Sequence, residues 1–186
     1  MTSASHVDDA YYRRLAADFA DWLREDRRIV EPGVLERLRA FLYREARLLD
    51  EGSYEDWLEL FEADCLFWIP GSPGGDTTRE IAFAFDDRRQ LEGRIYRLRT
   101  GYAWSQVPRS RTSRLVSNVE AFAAEGDAVM LRSSFLITEL RNGETRRFAG
   151  WNAHRLARRG DGWRILVKQI NLVDSDQNLR NPSALL

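Results

Sequence analysis

Residues 112–173 read TSRLVSNVEAFAAEGDAVMLRSSFLITELRNGETRRFAGWNAHRLARRGDGWRILVKQINLV. Four long β-prone runs stand out, over roughly 112–123, 128–140, 145–158 and 163–173. Glu125-Gly126-Asp127, Asn142-Gly143 and Gly160-Asp161-Gly162 divide them. Asn-Gly and Asp-Gly between strand-like runs are strong hairpin signals, because both central residues of the tight turn need positive φ. Consecutive hairpins make an antiparallel meander. Strands of this length twist and curl rather than stay flat. Gly150, mid-strand beside Trp151, marks a bulge or bend.

Ahead of the meander the chain reads helical. Residues 8–27 place Tyr12, Leu15, Phe19 and Trp22 on one stripe, the spacing of an amphipathic helix. After Glu31-Pro32-Gly33, a second helix runs over 32–49 with Leu35, Leu38, Leu42 and Ala46 inward, and Asp50-Glu51-Gly52 stops it. Ser53 caps a short third helix with Tyr54, Trp57, Leu58 and Phe61. A first strand follows over 65–69, ended by Pro70, and then a Gly/Pro/Ser/Thr loop over 71–78. Ile81, Phe83 and Phe85 alternate as a short strand, and Asp86 or Asp87 caps a helix reaching Arg99. Helices first and a curled meander last make an α+β cone, with helices closing one face of the sheet around an interior cavity. At 186 residues, one domain spanning 1–186 is the expectation.

Composition excludes several function classes. A net charge of −1 gives no electrostatic footprint for nucleic acid or an anionic membrane. No apolar run approaches the ~20 residues that span a bilayer. The start MTSASHVDDAYYRR lacks the basic-then-apolar pattern of a signal peptide. A cytoplasmic protein is expected. The 28 basic residues include one lysine, Lys168; the rest are arginines, whose planar forks suit carboxylate pairing and aromatic stacking. Cys65 is the single cysteine, so no intrachain disulfide exists, and it reads as a small buried hydrophobe.

Metal chemistry is excluded by count. A Rieske centre needs two Cys and two His, and a mononuclear oxygenase iron needs two His and a carboxylate. The chain owns His6, His154 and Cys65, with His6 in a terminal segment prone to fraying. No metal and no cofactor is expected to be held by this chain alone. Gly71-Ser72-Pro73-Gly74-Gly75 has a phosphate cradle's composition, but no Lys follows and the spacing fits no nucleotide fingerprint. A cone can house an acid–base site in an apolar pocket. The catalytic candidates are Tyr43, Asp56, Asp64 and His154. Each has a plainer reading: Tyr43 in the core with its hydroxyl on a backbone group, Asp56 serving a helix N-terminus, Asp64 ending a helix, His154 as a structural histidine. Trp68, Trp151 and Trp163 fall on strands and read as cavity filling or sheet-face packing, which leaves less room for a substrate.

Residues 97–119, RLRTGYAWSQVPRSRTSRLVSNV, break a basic helix at Gly101 and display Tyr102, Trp104, Pro108, Arg109 and Arg111 before the first meander strand. Large aromatic and guanidinium faces prefer burial or a partner. The loop is either a packed connection with locally paired arginines or a surface that meets another chain, since Trp and Arg lead the interface hot-spot types.

The order of these residues resembles the signature of the small (beta) subunits of Rieske-type aromatic-ring-hydroxylating dioxygenases. Residues 41–70, FLYREARLLDEGSYEDWLELFEADCLFWIP, resemble that family's opening helix pair and first strand. Residues 162–186, from GWRI to NLVDSDQNLRNPSALL, resemble its last strand and tail. The likeness covers about 34–186 and leaves 1–30 as an extra helix ahead of the family-like cone.

This resemblance implies the ketosteroid-isomerase-like (nuclear-transport-factor-2-like, cystatin-like) cone. It also implies a non-catalytic subunit that scaffolds large (alpha) subunits carrying a Rieske iron-sulfur cluster and a mononuclear iron. Three of each would assemble, and the complex would cis-dihydroxylate an aromatic ring with electrons from NAD(P)H. The expected interface residues are Tyr102, Trp104, Pro108, Arg109 and Arg111, joined by Asn178 and Asn181 of a polar-then-apolar tail. A stand-alone cone enzyme (isomerase, dehydratase or hydrolase) using Tyr43, Asp64 and His154, or a ligand-binding cone protein, stays open beside it.

Overall fold

A computed structural model of the chain describes residues 8–72, 82–100 and 109–177. The meander forms as the turn chemistry requires: β3 (Arg111–Ala123), β4 (Ala128–Arg141), β5 (Glu144–Arg159) and β6 (Gly162–Leu172) pair antiparallel in succession. Asn142 (φ 50°) and Gly143 (φ 80°) both take the left-handed conformation of a two-residue hairpin, and Arg141 pairs with Glu144 across it. The chain's earlier strands extend the sheet beyond β6. β1 (Phe61–Pro70) lies parallel to β6, and β2 (Ala82–Asp87) lies antiparallel to β1, giving the order β2-β1-β6-β5-β4-β3. Register shifts fall between Ser117 and Glu120 on β3, where Asn118 has φ 50°, and between Arg155 and Leu156 along β5–β6. Such bulges bend strands and increase their twist, which curls the sheet.

Gly150 is not among the bulges. The ladder runs through it in register, Phe135 on one side and Leu172 on the other. Its reason is closeness: a Cβ there would sit 2.0 Å from the Asn171 carbonyl oxygen.

The helices are α1 (Asp9–Phe19), α2 (Pro32–Glu51), α3 (Tyr54–Leu58) and α4 (Arg88–Arg99). Pro32 opens α2, and Gly52 (φ 70°) closes it, as fixed-φ and left-handed residues should at the two ends. Asp87 and Gln90 form a reciprocal capping box on α4. Ser53 occupies the cap position of α3 without a side-chain hydrogen bond. Leu38, Leu42, Leu48 and Leu49 of α2, with Trp57, Leu91 and Ile95, pack on the inner face of the sheet against Phe67, Leu131, Phe135, Phe148, Ile165 and Ile170.

The outer face is covered too. Leu15, Tyr11 and Phe19 of α1 pack on Leu66, Trp68 and Val167, while Trp22 packs on Phe122, Met130 and Ala153. This explains the unbroken apolar run Cys65-Leu66-Phe67-Trp68-Ile69: β1 is buried on both faces. Trp68 and Trp151 therefore pack on the outer face and fill no cavity.

The first helix is shorter than the 8–27 stripe predicts. It ends at Phe19, the chain turns through Ala20 and Asp21 (φ 48°), and only a short 3-10 turn forms at Glu25–Arg27. The turn redirects Trp22 toward β3 and β4, so its burial is kept while its helical conformation is lost. Ile29 then donates its N–H to the Ala121 carbonyl at 2.8 Å, along the free edge of β3.

Candidate functional site

The inner stripe of α2 carries one charge, Glu45, and the sheet answers it. His154 on β5 and Lys168 on β6 are cross-strand partners facing α2. Lys168 Nζ donates to Glu45 Oε1 at 2.7 Å, Trp57 Nε1 donates to the same oxygen at 3.2 Å, and His154 Nε2 lies 3.0 Å from Glu45 Oε2. Lys168 Nζ also stands 5.8 Å from the Trp57 ring centroid, within cation–π range. All three ionisable groups are buried, Glu45 and Lys168 at 4% exposure and His154 at 0%.

Burial alone pushes the Glu45 carboxyl toward its neutral form. The Lys168 charge and His154, with their hydrogen bonds, outweigh it and hold Glu45 well below the ordinary carboxylate range. For Lys168 burial is the larger effect: its amine lies below the ordinary lysine value despite the attraction of Glu45.

Beside this cluster is a cavity of about 30 Å³, whose polar lining is Glu45, Arg114, Ser133, Asn152, His154 and Lys168, with residues such as Leu42, Val116, Phe135 and Ile170 elsewhere. Ligand pockets typically span about 300–1,000 Å³. The space accommodates a water-sized molecule and not an aromatic ring.

The predicted acid–base set does not assemble. Tyr43 is 48% exposed on the outer side of α2, one position away from the buried stripe, so it is not a core residue. Asp64 is exposed on β1 and lines an outer groove with Tyr11, Asp18 and Arg155. Asp56 lies exposed in the first turn of α3. Only His154 reaches the cone interior, and its partners there are Glu45 and Lys168, which sequence reasoning missed. Two signals marked them: a lone carboxylate on the stripe Leu38-Leu42-Glu45-Leu49, and the chain's one lysine inside the run ILVKQINL.

Tyr102, Trp104, Pro108, Asn178 and Asn181 lie outside the described residues. The exit of the 101–108 segment is described. Arg109 lays its guanidinium over the Tyr54 ring, 5.2 Å from the centroid, and against Gly52, where any Cβ would collide with it. Arg111 is exposed at the start of β3. Next to it, Asp50 at the end of α2 accepts from Thr112 Oγ1 and the Arg114 N–H, each at 2.8 Å, and pairs with the Arg114 guanidinium. α2 thereby fixes where β3 begins.

The donor set does not fit a Rieske cluster or a facial triad. The chain has two histidines and one cysteine, and His154 is engaged by Glu45. Cys65 is buried, and that burial pushes its thiol up to about 12. No group of three His, Cys, Asp or Glu side chains among the described residues could hold a metal.

A sequence model described as "Ring hydroxylating beta subunit" matches residues 44–177, from the Glu45 turn of α2 past the end of β6. The chain belongs to this family of ring-hydroxylating β subunits. The β subunit is 34% identical over 131 residues to the small oxygenase component of the p-cumate 2,3-dioxygenase system of Pseudomonas putida, covering 69% of this chain and 73% of that one. The solved β subunit of benzoate 1,2-dioxygenase from Burkholderia mallei superposes with a TM-score of 0.66 at 30% identity, covering 79% of this chain and 94% of that one. At the level of fold alone, an NTF2-like protein with a cystatin-like fold from Novosphingobium aromaticivorans superposes with a TM-score of 0.55 at 17% identity, covering 91% and 92% of the two chains. The α+β cone expected from the meander and helices is therefore the architecture of this β subunit.

Proposed function

We propose that this β subunit frames the large, iron-bearing subunits of an aromatic-ring dioxygenase and takes no chemical step of its own. The large subunits carry the Rieske cluster and the mononuclear iron, and the assembly converts an aromatic ring to a cis-dihydrodiol with electrons from NAD(P)H. Three copies of each chain form the complex, which works in the cytoplasm where that reductant is supplied. Ring choice belongs to the large subunit.

The observation that carries this reading is the cone interior. Both oxygens of Glu45 are engaged by Lys168, Trp57 and His154, and the remaining space is about 30 Å³. An interior so filled suits a rigid frame. The contact surface is the segment from Tyr102 to Arg111, with Asn178 and Asn181 of the tail. Arg109, seated on Tyr54 and Gly52, orients that segment, and Arg111 offers an exposed fork for a partner carboxylate. Residues 1–30 are an addition to the cone, within which α1 and Trp22 shield the outer face of the sheet.

Mixing the purified chain with its large subunit tests the proposal. The chain alone is expected to be colourless and inactive, and to restore oxygenase turnover on mixing. Arg109→Ala combined with Arg111→Glu is expected to shrink the hetero-oligomer in sedimentation. Turnover by the isolated chain that is lost on His154→Ala supports the stand-alone enzyme instead, and saturable binding of an apolar ligand without turnover supports a binding protein.

A further inference from the structure

We propose that the cone interior contains a built site for one water-sized hydroxyl donor, held by His154, Asn152 and Ser133. His154 Nδ1, Asn152 Oδ1 and Ser133 Oγ are all buried and have no hydrogen-bond partner among the described residues. All three side chains line the same cavity. The register puts them there: Ser133 on β4 pairs with Asn152 on β5, and His154 follows two residues later on the same face. Other buried polar atoms without a hydrogen bond often stand beside an ion partner, as Glu62 does with Arg159 at 2.7 Å and Glu139 with Arg146 at 3.1 Å. Among the described residues, the three cavity atoms have no such neighbour. Buried polar groups in native proteins find partners, in protein or in ordered water.

The polarity of the wall selects the occupant. His154 Nε2 lies 3.0 Å from the Glu45 carboxylate; in the proposed site the single ring proton is on that nitrogen, which makes Nδ1 a lone-pair acceptor. Asn152 Oδ1 can only accept, and the Ser133 hydroxyl can donate or accept. A molecule that donates twice and accepts once satisfies all three. An anion would face the two lone pairs, and the cations on the wall, Lys168 and Arg114, are already paired with Glu45 and Asp50. A cation would face the Lys168 ammonium on the same cavity wall. The volume of about 30 Å³ exceeds the roughly 10–15 Å³ that one water requires and is too small for much more. The occupant links β4 and β5 through the imidazole to the carboxylate of α2.

A crystal structure of the purified chain, with water–protein NOEs and ¹⁵N shifts of the imidazole, tests this. The expected result is density within hydrogen-bond reach of all three atoms, an NOE from it to His154, and an Nδ1 shift typical of an acceptor nitrogen. A single-atom peak identifies water and supports the site; an elongated peak identifies a larger molecule, whose single hydroxyl proton cannot serve both acceptors, and counts against it. Asn152→Leu is expected to remove the peak and move the Nδ1 shift. If that variant does not fold, Ser133→Ala decides, because it should keep the peak with one contact fewer. A dry cavity, a ring turned so that Nδ1 meets Glu45, or a peak that scatters as chloride or a metal would overturn the proposal.

Discussion

Glu45 Oε2 lies 3.0 Å from His154 Nε2, and through that contact a helix residue meets a strand residue 109 positions later in the chain. With Lys168 on Oε1, Glu45 is the pin between α2 and the centre of the sheet. Removing one member of a buried pair strands the other charge, at a cost of about 3–5 kcal/mol. Glu45→Ala is therefore expected to lower the Tm by roughly 10 °C, measured by calorimetry. The paired change Glu45→Gln with Lys168→Met removes both charges and should recover much of the loss. Equal destabilisation by single and double variants would show that the charges are not coupled.

The same pair sets a pH slope. Glu45 has a depressed pKa in the fold, so its stabilisation is complete above the ordinary carboxylate value of 4.5 and is lost as pH falls below it. Lys168, also depressed from 10.5, holds its proton better in the unfolded chain, so its contribution too rises with pH, approaching 10.5. Urea midpoints measured across the acid range should climb toward pH 4.5 in the parent chain and climb less in Glu45→Gln. Parallel curves would contradict this assignment.

Gly150 and Gly126 make a controlled comparison. A Cβ at Gly150 meets the Asn171 backbone at 2.0 Å, whereas at Gly126 (φ 69°) it meets open space. Gly126→Ala should cost only the left-handed penalty of about 1–2 kcal/mol. Gly150→Ala must part β5 from β6, at about 3 kcal/mol or more by the upper range for overpacking. Denaturant unfolding of the two variants ranks them.

Removing residues 1–29 would expose Leu66, Trp68, Val167, Phe122 and Met130, which α1 and Trp22 cover. An apolar face of this kind leads to association. The truncated chain is expected to bind a hydrophobic dye and sediment as larger species, while Trp22→Ala gives a milder version of both. A truncated chain that remains dispersed and dye-silent would mean that α1 is not needed as a cover.

The meander was legible because its information is local. Asn142-Gly143 specifies a turn within four residues, and β4 and β5 must then pair from Arg141–Glu144 outward. The helix caps at Pro32, Gly52 and Asp87 are equally local. The interior cluster was not legible, because Glu45, His154 and Lys168 meet only after the sheet has curled over α2. Residue type suggested His154 but paired it with Tyr43 and Asp64, whose side chains point away from the interior. The end of α1 at Phe19 was missed for a related reason: Trp22 keeps the helical stripe's burial while leaving its geometry, drawn off by Phe122 at a ring-centroid distance of 5.7 Å.

The chain's only lysine is the one locked beneath α2. Among the described residues, every cationic side chain exposed to solvent is thus a guanidinium, and amine-directed acylation finds no exposed lysine to attack. A lysine-specific protease likewise finds its single scissile bond, after Lys168, within a β ladder. Its rate of cutting becomes a gauge of how often the cone opens.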